Sequence, residues 1–455
     1  FNQAFVPMFS KKLEAGEDAQ GFAQEAFNAM AMLLAVFALV GTLAMPVLVW
    51  AMAAGFTGDP RFDLAVTFGR IGFSYIFFIS LVALLSGVLV TRGRFVEAGV
   101  IPVLMNIAFI LAMWLADWRG WDMGLTLAWT LPLTGIAQFA YTWHAARSAG
   151  HRFRLGIPRW TPELKRLAII AGPAILAGGV VQINLLVGRQ VASHTEGAVA
   201  WLTYADRLYQ LPLGVVGIAI GTALLPELSR RLRAGDGEGG RAAFNRGTEF
   251  ALILTLPAAA ALLVIPAELV QVLFERGAFG AKDTANTALA LAIYGAGLPA
   301  FVLHKVLQPL YFAREDTRRP FHFALWAMVV NAFLAIGLMP VIGFLAAAIA
   351  TTLSAWVMAA QLWFGSRHMG GAAEFDARLL GRLPRILLAC LAMSAVLYGL
   401  SWLLSPALEA ARWRWLALGG LVGGGILSYF GAGSLLGAFR IAEFRQAMRR
   451  APKGN

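Results

Sequence analysis

Two adjacent charges, Asp206 and Arg207, stand inside the apolar stretch WLTYADRLYQLPLG, and Lys305 stands inside FVLHKVLQPL with His304 beside it. An ionised side chain at the centre of a membrane-spanning helix costs ~2.5–3.5 kcal/mol on insertion scales, so each is a candidate for function. A guanidinium holds phosphate oxygens through two parallel hydrogen bonds and stays charged at every accessible pH. The chemistry these cations suggest is recognition of an anion, with a phosphate or diphosphate as the natural target. Neighbouring helical residues point ~100° apart, so Asp206 and Arg207 do not share a face. Arg207 is expected to face a cavity, and Asp206 to find a partner on a neighbouring helix in an orienting or structural role. Lys305 is the second substrate-binding candidate, although its long stem also allows snorkelling. Arg70 and Arg189 lie closer to the ends of apolar runs and read as interfacial.

The sequence offers little else that does chemistry. Its six histidines show no metal-ligand spacing, and neither a G-x-S-x-G elbow nor a Walker loop occurs. The lone Cys390 lies in an apolar run, which excludes an intrachain disulfide. No cofactor and no catalytic centre is expected.

The elements that hold these charges are long apolar helices. Of 455 residues, 59% are hydrophobic and 14% charged, and the mean hydropathy is +0.69; soluble domains carry roughly a quarter charged residues. Apolar runs of the ~20 residues that cross a ~30 Å hydrocarbon core are expected near 25–55, 64–90, 97–116, 123–145, 164–192, 198–226, 243–273, 285–312, 321–341, 343–365, 383–404 and 413–438. These make twelve spans, preceded by part of another. The fold class is an all-α polytopic membrane protein.

A net charge of +12 could suggest nucleic-acid binding, but the 37 Lys and Arg residues are sorted by loop. Alternate loops and the C-terminal tail hold 27, the opposite loops six and the spans four. The positive-inside rule makes the rich set cytoplasmic. The basicity therefore reports topology, and no nucleic-acid partner is expected.

The stretch AFVPMFSKKLEAGE at residues 4–17 returns as ALLPELSRRLRAGD at 223–236, with six of fourteen positions identical. AFN follows each copy (Ala26–Asn28, Ala243–Asn245), then a proline in a span (Pro46, Pro266), and later an aligned pair, Arg92 and Arg314. Two halves of about 220 residues are in register, which is the signature of an internal repeat. Each is a six-helix lobe of the same orientation, with a cavity expected between lobes. The expected organisation is a first lobe at 1–146, a basic cytoplasmic linker at 147–163, a second lobe at 164–367, two additional helices at 368–440 and a basic tail at 441–455. The register also predicts that about one and a half helices of the first lobe precede Phe1. Pro173, Pro212, Pro257 and Pro299 interrupt spans, each removing a backbone hydrogen bond where a helix could bend; equally, membrane helices tolerate such prolines without any moving part. The glycine-rich last run, with Gly419 and Gly423 in GxxxG spacing, suits close helix packing or a groove for an acyl or prenyl chain.

The stretches QAFVPMFSKKLEAGED, GPAILAGGVVQINLLVGRQVAS, YADRLYQLPLGVVGIAIGTALLPELSR and LHKVLQPLYFAREDTRRP, taken in order along the whole chain, resemble the MurJ/MviN family of lipid II flippases in the MOP exporter superfamily. The resemblance implies a multi-pass protein of the bacterial inner membrane that moves undecaprenyl-pyrophosphate-linked peptidoglycan precursor from the cytoplasmic to the periplasmic leaflet. It implies two lobes around a V-shaped cationic cavity, a groove for lipid beside the last two helices, and cell-wall synthesis proteins as further partners. The family's essential eighth-helix arginine matches Arg207, while Gln210 stands where some members carry an acid. A sodium site of some members matches Asn331 and Thr351, but its aspartate positions fall at Ala335 and an apolar residue near Val187, so sodium coupling is not implied.

Two other classes compete with this reading. A multidrug or polysaccharide exporter of the same superfamily predicts a more acidic interior for cationic cargo. A polytopic polyprenyl-phosphate enzyme predicts a large outward loop or an acidic metal-binding cluster. The spans carry few acids and the outward loops are short.

Overall fold

The computed structural model of the chain describes residues 2–439 other than Glu315 and Ala411; the expected basic tail lies outside the described residues. Among those described, all regular structure is helical. A short α1 (Asn2–Glu14) leads into α2 (Ala19–Leu43), α3 (Met45–Ala53), α4 (Pro60–Phe73), α5 (Tyr75–Thr91), α6 (Phe95–Arg119) and α7 (Met123–Ser148). The chain continues through α8 (Pro162–Ser193), α9 (Ala198–Arg233), α10 (Gly237–Val264), α11 (Pro266–Phe274) and α12 (Ala281–Phe312). It closes with α13 (Arg318–Ile342), α14 (Leu345–Ser366), α15 (Ala377–Glu409) and α16 (Arg414–Leu435). Each of the twelve expected spans is helical. Among the described residues nine segments are by length and composition able to cross a membrane. The other three, α7, α8 and α9, have 26, 32 and 36 residues, longer at ~1.5 Å per residue than the ~30 Å hydrocarbon core.

Three spans that read as single helices are broken. The run at 25–55 breaks at Ala44, just before Pro46, and the run at 243–273 breaks at Ile265, before Pro266. Each proline lacks an N–H and its ring crowds the preceding turn, so the repeat breaks at the same place in both halves. The run at 64–90 breaks at Ser74, whose hydroxyl donates to the Ile71 carbonyl at 2.9 Å and so competes with the backbone ladder. Conversely, Pro212, Pro257 and Pro299 lie within unbroken helices, the tolerated of the two outcomes expected for them. Membrane helices tolerate such prolines because neighbouring groups satisfy the freed carbonyls. The side chain of Pro173 lies outside the described residues.

Contacts divide the chain into two compact units, Phe1–Ile183 and Asn184–Asn455. The division falls inside α8, later than the 147–163 linker, because Leu164, Leu167 and Ala171 at the start of α8 pack into the first unit's core. That core stacks Phe5 on Phe9 and Phe22, 5.5 and 5.6 Å between ring centres, over Leu81, Leu84 and Leu85. In the second unit α12 packs against α9, α10, α11 and α14. Helix α6 buries almost none of its apolar surface, leaving Ile110 and Trp114 exposed, as suits a helix bathed in lipid rather than water.

The duplicated AFN motif has the same task in each unit. In the first, Phe27 packs 5.3 Å from Phe153 and 5.5 Å from Trp143. There the amide of Gln24, itself bonded to Asn28 at 3.0 Å, accepts from Arg154 N–H at 2.9 Å and donates to its carbonyl. In the second, Phe244 packs 6.1 Å from Phe375, which stacks on Trp363 at 4.2 Å. The amide of Asn245 donates to Glu374 O at 2.8 Å and accepts from Asp376 N–H at 3.0 Å. An irregular segment after the last helix of each repeat is thus clasped to α2 or α10 through its own backbone groups, which need partners wherever water is excluded.

Candidate functional site

Helix α9 reaches its charged residues without interruption, with Trp201, Leu202, Ala205, Leu208 and Tyr209 on its buried face. That periodicity leaves Thr203, Tyr204, Arg207, Gln210 and Leu211 on the exposed face. Asp206, half-buried, accepts from the Gln210 amide one turn further along the same helix. Its partner is therefore in α9 itself and not, as the sequence suggested, on a neighbouring helix; a spacing of four residues makes this contact local. Gln210, conspicuous in the sequence for not being an acid, is the group that holds Asp206.

Arg207 and Lys305 are both exposed, and neither takes part in an ion pair among the described residues. His304, buried beside Lys305, places Nε2 2.7 Å from the Ala355 carbonyl, which ties α12 to α14 and leaves the ring with a structural task. Helices α9 and α12 run parallel. Trp201 Nε1 donates to Asp283 at 2.7 Å near their outer ends, and Tyr209 lies 5.6 and 5.4 Å from Tyr294 and Phe301. This register sets Arg207 about level with Tyr294, so Lys305, further along α12, lies roughly 15–20 Å deeper toward the cytoplasm at ~1.5 Å per residue. The two cations form a ladder along one helix pair rather than one cluster. Arg70 and Arg189 are also exposed, near the ends of their apolar runs.

Asn331 and Thr351 do meet. Asn331 Nδ2 donates to Thr351 Oγ1 at 3.3 Å and to Ser354 Oγ at 3.4 Å. The neighbouring Ala335 is fully buried and offers no oxygen ligand. Among the described residues no group of three or more His, Cys, Asp or Glu is placed to hold a metal ion. One amide and two hydroxyl oxygens without a carboxylate fall short of the roughly six oxygens a hard cation gathers.

Two features were missed in the sequence. Glu249, buried in α10, pairs with Arg378 at 3.2 Å and with Arg382, fastening α15 to the second unit. Its signal was present, since a carboxylate inside the run 243–273 needs a partner. The other is an apolar cavity of about 350 Å³ walled by Pro257, Leu262, Leu269, Met393, Gly425 and Tyr429, from α10, α11, α15 and α16. Gly425 is close enough to Leu397 that a Cβ there would meet its side chain at 2.7 Å, so glycine is what lets α16 approach. The sequence indicated a groove beside the last helix but not which helices complete it.

These helices and breaks define a class. The fold matches a solved lipid II flippase MurJ in an inward closed conformation, with a TM-score of 0.77 and 23% identity over 95% of this chain and 87% of that one. It also matches an inward-facing multidrug resistance MATE family transporter of the MOP superfamily, at 0.67 and 14% over 83% and 87%. The molecule has the fold of a polytopic MOP-type exporter. Residues 1–413 match the family model described as lipid II flippase MurJ. A probable lipid II flippase MurJ of Rhizobium meliloti is 43% identical over 99% of this chain and 86% of its own length. The lipid II flippase MurJ of Burkholderia cenocepacia is 33% identical over 84% and 77%. The chain belongs to the MurJ family: it is a multi-pass protein of the bacterial inner membrane, and a transporter rather than an enzyme.

Proposed function

We propose that this protein carries lipid II from the cytoplasmic to the periplasmic leaflet by alternating access of two lobes, the first including residues 1–146 and the second residues 164–367. Arg207 and Lys305 act as successive cationic holds for the diphosphate. The observation that carries the reading is the pair of exposed cations on α9 and α12, at two depths and without carboxylate partners among the described residues. A ladder of this kind suits a cargo whose charge must travel: the diphosphate leaves one cation for the next without ever being bare in low dielectric. Asp206, held by Gln210, keeps its charge directed along α9 and away from the cargo. The apolar cavity beside α15 and α16 has the lining for part of a polyprenyl chain. Asn331 and Thr351 stabilise the α13–α14 contact in this reading. A cationic drug as cargo is disfavoured by the same two exposed positive charges.

The test is rescue of cells depleted of their own lipid II flippase. The full-length protein restores growth, and its Arg207→Ala variant at equal membrane level does not. Loss of a bidentate charge-assisted contact worth ~1.5–3 kcal/mol lowers affinity for the diphosphate by about 10- to 100-fold. Growth of the alanine variant at the parent's rate removes Arg207 from the mechanism.

A further inference from the structure

The two clasped segments are equivalent in fold and unlike in sequence. In the second unit, residues 367–376 read RHMGGAAEFD, with Met369 and Phe375 packed against the core and Ala373 within it. In the first, residues 151–160 read HRFRLGIPRW. Only His151 and Phe153 of these turn inward. The clasp itself is made by backbone groups: Gln20 donates to Arg152 O at 2.8 Å, Gln24 pairs with Arg154, and Arg159 N–H donates to Glu25 at 2.5 Å. In the twin, too, the clasp runs through an inward aromatic, Phe375, and backbone groups that bond to Asn245, Arg241 and Arg314, without large exposed apolar side chains.

What remains over is a surface. Leu155, Ile157 and Trp160 are 73%, 88% and 71% exposed. The side chains of Arg152, Arg154 and Arg159, exposed between them, join no ion pair among the described residues. Large apolar side chains in open water are unfavourable, and a tryptophan flanked by arginines is the composition of a membrane–water interface. The place agrees. The segment leaves α7 at Ser148 and enters α8 at Pro162, on the face that the basic loops mark as cytoplasmic, where the leaflet carries negative charge.

We propose that residues 152–160 are a docking strap for the anionic phospholipid surface of the cytoplasmic leaflet. Arg152, Arg154 and Arg159 lie at the level of the phosphates, and Leu155, Ile157 and Trp160 enter the headgroup–acyl boundary. Because the strap is clasped to α2 and joined to α8, it fixes the first unit against the inner leaflet at one height. The inference needs only the membrane and stands apart from the identity of the transported lipid.

The test uses the full chain carrying Cys390→Ala and Ile157→Cys, labelled with a small environment-sensitive fluorophore. It is held in nanodiscs of phosphatidylcholine alone or with one third phosphatidylglycerol. In the anionic discs the label is shielded from aqueous iodide and quenched by lipids brominated near the headgroup. Shielding falls in neutral discs and in high salt, on the order of fivefold in the docked-to-free ratio for each arginine. Arg152→Glu, Arg154→Glu and Arg159→Glu together abolish the response to phosphatidylglycerol. Their side chains make none of the clasp bonds, so the variant keeps the parent's elution in detergent; should it aggregate, the lipid and salt response of the labelled parent decides alone. Equal iodide access in both lipid compositions overturns the proposal. So does shielding that free inorganic phosphate reproduces, or that arises only when a soluble protein is added.

Discussion

The segment from Pro60 to Thr91, made of α4 and α5, and its counterpart α12 from Ala281 to Phe312 each span 32 residues, yet they solve the bilayer differently. The first breaks at Ser74 and turns Leu84 and Leu85 into the core, both fully buried. The second runs unbroken past Pro299 and Pro309, packs against four helices, and at the same height exposes Lys305. Duplication kept the helix lengths, the proline breaks before α3 and α11, and the AFN clasps. It did not keep the charge. The scaffold tolerates symmetry because any apolar helix of the right length fits the bilayer, whereas an anion needs its cations only along its own path.

The clasps sharpen this contrast, since they hold equivalent segments by different means. The largest effect is expected at Glu249, which has no acidic counterpart in the first half's AFN turn. Removing one partner of a buried pair costs about 3–5 kcal/mol; the half-exposed Arg378 softens this toward the lower end. Glu249→Ala should lower the thermal unfolding midpoint in detergent by several degrees, and an unchanged midpoint would show that α15 is held by apolar contacts alone. Next come the two asparagines. Asn245→Ala takes the partner from Asp376 N–H and leaves Glu374 O only the longer bond from Arg241 Nε, and should cost about 2 kcal/mol. Asn28→Ala removes only the support behind Gln24 and should cost about 1 kcal/mol. Equal losses in paired unfolding curves would mean that the clasps are the same device after all.

The smallest effect is a pH dependence confined to the first clasp. His151 Nδ1 lies 2.6 Å from Gln20 Oε1, and its Nε2 accepts from Arg92 at 3.0 Å, so the neutral ring satisfies both neighbours. Burial first, and then the Arg92 guanidinium, push the imidazole below its ordinary range. The unfolded chain therefore takes up this proton before the folded one does. Stability is full above the ordinary histidine value of ~6.5 and declines as the pH falls below it, levelling off beneath the lowered folded value. In the second clasp the counterpart Arg314 meets the Met369 carbonyl at 3.0 Å instead of a histidine ring. Unfolding midpoints between pH 7.5 and 5 should slope for the parent and flatten for His151→Gln; a slope that survives the substitution assigns it elsewhere.

Run length alone made the twelve spans legible, and the paired prolines at 46 and 266 marked two of the three breaks. The third was hidden because Ser74 acts through a hydroxyl-to-carbonyl bond that no residue pattern announces. Pro212, Pro257 and Pro299 left two outcomes open for a related reason: whether a proline breaks a helix depends on what its neighbours can donate. Arg207 and Lys305 were legible as charges at depth, but their separation was not, since it follows from the parallel register of α9 and α12 set by Trp201 and Tyr209. The AFN repeat was visible as letters without a task. Only the irregular segments it clasps supply one, and irregular segments carry no period to read.

The central claim is that the diphosphate of lipid II is held by the charge of Arg207 on α9. Equilibrium binding of lipid II to the purified protein, measured by native mass spectrometry for the parent, Arg207→Ala and Arg207→Lys, tests it most directly. The account predicts about 10- to 100-fold weaker binding for alanine and an intermediate loss for lysine, which keeps the charge but not the fork. Parent-like binding by the alanine variant would contradict it.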